Sequence, residues 1–501
     1  MEKYFLDYDW TVLAPELIIV AAAALLSIID LFLKEKNDRH WLHWVAIVAV
    51  ITAGVFVFRQ WGGAPAEILL DTYRVDDFAL TFKLILLAGT ALVLLASYRD
   101  DGPKEARGEY TYLLLTALLG GMLLTSSADL ITLFIGLELL SLSSYILAGI
   151  RKKRLASNEA AWKYVVLGSV STAFILYGMS FVYGLAGTTH LYTAQQRLVE
   201  AYNGGYESFV LLSLFLMLLG FGFKVASAPF HMWAPDVYQG SPTPVTSFLA
   251  VVSKTAAFAF ILRMLLSLYL FLVQTGPWTE LVGPALLTLA AASMILGNMA
   301  ALRQLRTKRL LAYSAIAQAG YMLVPVATLT GALMFESTVY YLMAYLFMTL
   351  GAFTVVMQVE RDSGREGIEA FAGLSRRSPW MAAAMTVFLL SLAGIPITGG
   401  FFGKFYILFH SVTAEAYWIA AVMLATTVVS YFYYFGIIRM MYFRPAMDGT
   451  KVRISVTAGA VVLVSLAGTL LLGFFPQWLL DHLGNLDWIQ GFQPIHGPVE
   501  Q

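Results

Sequence analysis

Residues 221–254 read FGFKVASAPFHMWAPDVYQGSPTPVTSFLAVVSK. An apolar run carrying Lys224 breaks over prolines at 229, 235, 242 and 244, then resumes around Lys254. A second stretch, SLAGIPITGGFFGK at 391–404, breaks around Pro396 and carries Lys404. Proline removes a helix donor and frees backbone carbonyls, which at membrane depth must line a hydrated cavity or meet buried partners. Paired long spans interrupted by Gly and Pro in two halves point to an inverted-repeat transporter.

The rest of the chain agrees. Of 501 residues, 59% are apolar and 13% charged, against about 25% charged in a soluble domain. Mean hydropathy is +0.72, so the chain reads as an all-α polytopic membrane protein. Apolar stretches near twenty residues predict fourteen spans: about 12–33, 41–58, 78–97, 110–127, 129–150, 159–186, 207–235, 243–270, 283–301, 310–330, 337–359, 380–411, 415–438 and 454–475. The broken spans, seventh and twelfth, lie five apart. Spans four to eight and nine to thirteen therefore form two five-helix repeats, the second entering the membrane from the opposite side. The expected organisation is a three-span segment (1–109), a first repeat (110–270), a second repeat (271–438) and a last span with its tail (439–501). The longest loop, about 187–206, is too short for a core of its own.

Loops after odd-numbered spans hold 22 of the 32 Lys and Arg residues, among them Lys34, Lys36, Arg39, Arg151, Arg154, Lys308 and Arg309. The positive-inside rule then places the basic loops in the cytoplasm and both termini outside. The amino terminus, MEKYFLDYDW, lacks the pattern of a cleaved leader. With no cysteine the chain cannot hold an Fe–S cluster by thiolates or form a disulfide.

Ionisable groups in hydrocarbon are functional candidates by default. Glu138, Lys224 and Lys254 lie 12 or 13 residues from the cytoplasmic ends of their spans, which puts them about 18–20 Å deep in a core of about 30 Å. Lys404 is placed in the interior by analogy between the two broken spans. Lys163 is near a span end and divides evenly between a functional role and snorkelling. His231, seven residues after Lys224, shares its face if the helix persists through Pro229, and would suit a proton uptake relay; an interfacial cap beside Trp233 is the competing reading. Lys83 is expected to pair with Asp76 on the same helix face, and Arg263 to be structural.

A buried ammonium is disfavoured by desolvation and favoured by a nearby carboxylate, so moving Glu138 relative to Lys224 switches the lysine between holding and releasing a proton. Separating such a pair from about 4 to about 8 Å changes its energy by about 2 kcal/mol at an effective dielectric near 20. Moving one charge against about 180 mV needs about 4 kcal/mol, so further coupling must come from neighbours. Ammonium groups cannot replace the oxygen ligands of a hard cation, which favours protons over sodium.

LFIGLELLSLSSYIL (133–147), EAAWKYVVLGSVSTAFILYG (159–178), the run from Phe223 to Lys254, KRLLAYSAIAQAGYML (308–323) and SLAGIPITGGFFGKFYI (391–407) resemble the antiporter-like membrane subunits of respiratory complex I, the NADH-quinone oxidoreductase. The short tail after the last span and the lysine in span twelve point to the branch lacking both a lateral helix and a glutamate there. The resemblance implies that Glu138 and Lys224 form the switchable pair, with Lys254 the connecting and Lys404 the terminal residue of a proton line. It implies no cofactor on this chain, with NADH, FMN, Fe–S clusters and quinone in the partner complex. The expected partners are other membrane subunits, a peripheral redox arm and the lipid bilayer, with no nucleic acid, and the expected location is a bacterial plasma (inner) membrane. The competing classes are a subunit of a multi-subunit sodium/proton antiporter or related hydrogenase-type complex, and a structural subunit with a vestigial channel.

Overall fold

The computed structural model describes residues 9–33, 39–98, 106–329, 332–446, 451–488 and 492. Lys34, Lys36 and the chain ends assigned to the outer side fall outside them. Three helices open the chain: α1 (Ala14–Phe32), α2 (His40–Gln60) and, after a short hairpin of β1 (Ala66–Ile68) with β2 (Tyr73–Val75), α3 (Asp77–Ser97). Over the stretch expected as the first repeat follow α4 (Arg107–Ser126), α5 (Leu130–Ala148), α6 (Leu155–Ala186), α7 (Leu191–Ala201), α8 (Glu207–Lys224), α9 (Trp233–Gly240), α10 (Thr243–Phe248) and α11 (Lys254–Leu268). A π-helical segment at Leu249–Ser253 joins the last two into one span. The short α12 (Phe271–Thr275) leads to the stretch expected as the second repeat, with α13 (Gly283–Ala301), α14 (Thr307–Thr328), α15 (Ala332–Ser363), α16 (Leu374–Arg377), α17 (Pro379–Ala393), α18 (Gly399–Thr413) and α19 (Tyr417–Phe443). Helices α20 (Val456–Phe474) and α21 (Pro476–Gly484) close the chain.

Among the described residues twelve helices are long and apolar enough to cross a membrane. The remaining two expected spans are α4 and the interrupted pair α17–α18, so the fourteen-span plan stands. Local chemistry sets the helix starts. Asp129 accepts from the backbone N–H groups of Ile131 and Thr132 at 2.7 and 3.2 Å, capping α5. Asp76 does the same for α3 through Ala79 N at 2.7 Å. Loop 187–206 is not a loop throughout: Leu191, Tyr192, Ala194 and Leu198 bury one face of α7 against the bundle.

Burial sorts the helices into layers. The apolar windows of Thr243–Leu268, Thr307–Thr328 and Leu333–Ser363 are 94, 94 and 89% buried, whereas those of α6 and α19 are 33% buried. The span α10–α11 with α14 and α15 therefore forms the centre, and α6 and α19 turn apolar faces outward.

Two ion-paired clusters lie away from the basic loops, and they correct one expectation. Lys83 does not pair with Asp76. It pairs with Glu16 of α1 at 2.8 Å and donates to the Tyr73 hydroxyl at 2.7 Å. Asp76 instead takes a bidentate contact from Arg263 of α11, at 2.7 and 2.9 Å, and lies 3.3 Å from Arg74 Nε. Arg263 also donates to the carbonyl of Thr125 at the end of α4. The expected structural role of Arg263 thus becomes a clamp between the three-span segment and the first repeat.

Candidate functional site

The first broken helix stops at Lys224 itself. Ala226 adopts a positive φ of 57°, and Pro229 brings no donor. The freed carbonyls find partners: Gly222 O accepts from Ser227 N at 2.8 Å, and Phe223 O accepts from Ala226 N and the Trp233 indole, both at 2.9 Å. The Trp233 ring stacks on Tyr164 with centroids 4.5 Å apart. Because the helix ends, His231 does not share a face with Lys224, and the spacing between Lys224 and Asp236 is no measure of depth. His231 sits half-buried in the break between Pro229 and Trp233.

Lys224 is held by α5. Its Nζ donates to Ser141 Oγ at 2.7 Å and lies 5.9 Å from the centroid of the Tyr145 ring. Glu138 is one helical turn before Ser141, and its buried Oε1 has no hydrogen-bond partner. Glu138 and Lys224 therefore act on each other electrostatically without direct contact, the ammonium being held by Ser141.

Lys254 and Lys404 are more fully buried than Lys224, with 3 and 7% of their surface exposed. Lys254 Nζ donates to the Ala315 carbonyl of α14 at 2.5 Å and lies 5.6 Å from the Tyr345 ring. Lys404 follows the second break, where Gly394 takes a φ of 83° that favours glycine. Its Nζ reaches back to the last carbonyls of α17, Leu392 O at 2.9 Å and Ala393 O at 3.4 Å, and lies 4.6 Å from the Tyr321 ring. A cation at a helix carboxyl end is favoured by the helix dipole. A Cβ on Gly400 would meet Ser391 O at 2.1 Å, so only glycine lets α18 start this close to α17. The analogy that placed Lys404 holds in location and fails in detail: Lys224 precedes its break, whereas Lys404 follows one.

One face of α14 joins the two buried lysines. Ala315 O receives Lys254, and the adjacent Ser314 hydroxyl is bonded to Tyr434. Gln318 donates to Leu392 O at 3.1 Å, the same carbonyl that receives Lys404, and accepts from Tyr341. Tyr321 completes the row beneath Lys404. Sequence reading missed Ser141, Tyr145, Ser314, Gln318, Tyr321 and Tyr345. The available signal was the polar row at i, i+4 and i+7 in 314–321, inside an otherwise apolar span.

Lys163 is elsewhere. Its Nζ contacts Glu159 and Asp236, each at 2.6 Å, and Asp236 also accepts from Arg309. Asp236 lies beyond the seventh span. Burial raises its carboxyl, and the hydrogen bonds from Lys163 and Arg309 more than reverse this, leaving it below its ordinary value. A depressed carboxyl contributes stability above its unfolded value, near 4, that is lost as pH falls through the folded value. These side chains are about a third exposed, so Asp236→Asn is expected to cost less than about 1 kcal/mol. Thermal unfolding of wild type and variant should differ at pH 7 and converge below pH 4.

Residues 127–430 match a family model described as the NADH:quinone oxidoreductase/Mrp antiporter transmembrane region. The chain belongs to this family. The antiporter-family chain is 50% identical over 489 residues to NADH-quinone oxidoreductase subunit N of Brevibacillus brevis, covering 96% of both chains. It is 47% identical to the subunit of that name from Anoxybacillus flavithermus, covering 97% of this chain and 98% of that one. A chain of respiratory complex I from Thermus thermophilus with bound aureothin superposes with a TM-score of 0.79 at 34% identity, over 94% of this chain and 99% of that one. The Mrp complex from Dietzia shares the fold alone, with a TM-score of 0.78 at 20% identity over 96% of this chain and 99% of that one.

Proposed function

We propose that this chain is subunit N of an NADH-quinone oxidoreductase and moves protons across the membrane without a redox centre of its own. The observation that carries the reading is the series of three span-embedded lysines, each against a tyrosine ring, with α14 bridging the two buried ones. Glu138 and Lys224 form the switchable pair, Lys254 receives, and Lys404 ends the line; Lys163 and His231 are secondary.

Lys224 holds its proton when Glu138 closes on the ammonium and releases it when Glu138 is withdrawn and the nitrogen turns to Ser141, because the ammonium then loses its compensating charge. Lys254 and Lys404 hold protons against carbonyl dipoles rather than carboxylates, so each can exist as amine or ammonium without leaving a naked anion. Transfer between them follows the α14 face, where Ser314, Tyr434 and Gln318 can relay through hydroxyls, the Gln318 amide and ordered water. Lys404 also occupies the carbonyls of Leu392 and Ala393, the oxygens a sodium ion would need at that break. This favours protons as the transported ion.

Energy arrives by contact. Helix α5 exposes Ile131, Ile135, Leu142 and Ile146 on the face that carries Glu138, while Glu138 and Lys224 are only half-buried. A neighbouring membrane subunit seated there can shift the pair without this chain holding flavin or Fe–S clusters. The two repeats divide at 110–270 and 271–438, the basic loops face the cytoplasm and the termini face outward in a bacterial plasma membrane.

Gentle membrane purification tests the assignment. Companion flavin and Fe–S proteins in stoichiometric amount are expected; a set of small membrane proteins without redox partners would assign the chain to an antiporter complex instead.

A further inference from the structure

A second Lys/Glu group lies at the basic-loop end of the seam between the two repeats. Lys308 begins α14, is 2% exposed, and donates from Nζ to the Ser241 carbonyl at 3.0 Å. Glu360 lies near the end of α15 and accepts from the Thr243 hydroxyl at 3.0 Å through Oε2. Its Oε1 is buried and has no partner. The charged groups acting on this carboxylate are Lys308, Glu366 and Arg151, with Arg154 also acting on Lys308. Glu366 itself accepts from Gln239 at 2.6 Å and lies 3.8 Å from Arg154.

A purely structural pair would be closed, with the ammonium on the carboxylate, because an unpaired buried charge is costly. Here the two do not touch. The ammonium is turned to a backbone carbonyl, and the carboxylate keeps an oxygen that can take a proton. Helix α15 spans 32 residues, about 48 Å, more than the hydrocarbon core needs, so its end stands at the membrane surface within reach of bulk water.

Above this group, between α14 and α15, is a cavity with room for about one water molecule. Ser314, Thr349, Tyr345 and Leu392 line it. The Tyr345 ring faces Lys254, and the Leu392 carbonyl holds Lys404. The cavity thus touches the surroundings of both buried lysines, and its wall at Phe353 lies seven residues from Glu360, about 10 Å along the helix.

We propose that Glu360 is the proton-loading carboxylate of the seam, taking a proton from the basic-loop side and passing it by the α14–α15 cavity toward Lys254 and Lys404, with Lys308 as its positioning cation. This rests on the proton-moving role proposed above. Loading takes a proton from hydronium of the bulk, giving the neutral carboxyl and water, and delivery to a lysine amine restores the carboxylate and forms the ammonium, so no other reactant is required.

The test uses the assembled complex in inverted membrane vesicles, with proton uptake measured per NADH oxidised. Glu360→Gln keeps an oxygen for Thr243 and cannot carry a proton; uptake is expected to fall at least threefold, and Glu360→Asp to retain half or more. Thr243→Val keeps the carboxylate and removes its donor, so the carboxylate holds its proton more tightly and the pH profile of uptake moves to the alkaline side. Wild-type uptake in assembled Glu360→Gln overturns the proposal. If that variant does not assemble, an unchanged pH profile in Thr243→Val overturns it. Lys224→Ala in the same vesicles separates the two readings: normal uptake there refutes the proton-moving role itself, whereas a defect there with none at Glu360 refutes only the loading role.

Discussion

Lys224→Ala in an otherwise assembled complex is expected to lower proton pumping about tenfold or more, with normal subunit content. The lysine is the cation held against Ser141 and acting on Glu138. Without it Glu138 loses the cation that acts on it. The proposed relay then lacks both its carrier and its switch. A barrier increase of only about 1.4 kcal/mol suffices for a tenfold loss, and the change in pair energy on separation is already about 2 kcal/mol. Lys224→Arg sharpens the test because guanidinium keeps the charge but does not release a proton in proteins. If charge alone mattered, Arg would pump; if proton release matters, Arg should fail nearly as badly as Ala. Proton uptake and NADH oxidation recorded together, with the subunit quantified by immunoblot, decide between them. Normal pumping in the Arg variant would remove Lys224 from the proton path.

How much of this was legible follows from the range of each interaction. Hydropathy exposes the spans because the membrane imposes a length and a composition on every one, and the two Pro/Gly breaks are visible because proline acts locally. The end of α8 at Lys224 was hidden, since Ala226 takes a positive φ that its residue type gives no reason to expect. That single turn removed His231 from the lysine's face. Lys83 was assigned to Asp76 by helical spacing, yet its partner Glu16 is 67 residues away on another helix. The tyrosines beneath Lys224, Lys254 and Lys404 were equally hidden, for in a chain that is 14% aromatic nothing local separates Tyr145, Tyr345 and Tyr321 from packing residues. Residue type alone favoured protons over sodium, while the contacts that α14 makes with the surroundings of both Lys254 and Lys404 needed the helix to be seen between its neighbours.

Asp76→Ala is expected to destabilise the subunit by about 3–5 kcal/mol, enough to deplete it from the membrane. The carboxylate holds both arms of Arg263, lies beside Arg74 and caps α3, all in a site where Arg263 and Arg74 are fully buried. Removing it leaves two guanidinium groups, neither of which can shed its charge. Glu67, at 2.9 Å from Arg74, compensates one of them. The Thr125 carbonyl retained by Arg263 is a dipole and cannot compensate the other. The clamp joins β2 and α3 to the ends of α4 and α11, so its loss should free the three-span segment from the first repeat before the lysine line is disturbed. The double variant Asp76→Leu with Arg263→Met distinguishes this account from one in which the pair is itself the source of stability. Burying neither charge, it should recover much of the loss, because a buried ion pair gains little over well-packed apolar groups while a broken one costs a great deal. Subunit content and the detergent-induced melting point of the purified complex would measure it. A double variant as depleted as Asp76→Ala would mean that the hydrogen bonds to Ala79 N and Thr125 O, rather than charge compensation, hold the segment in place.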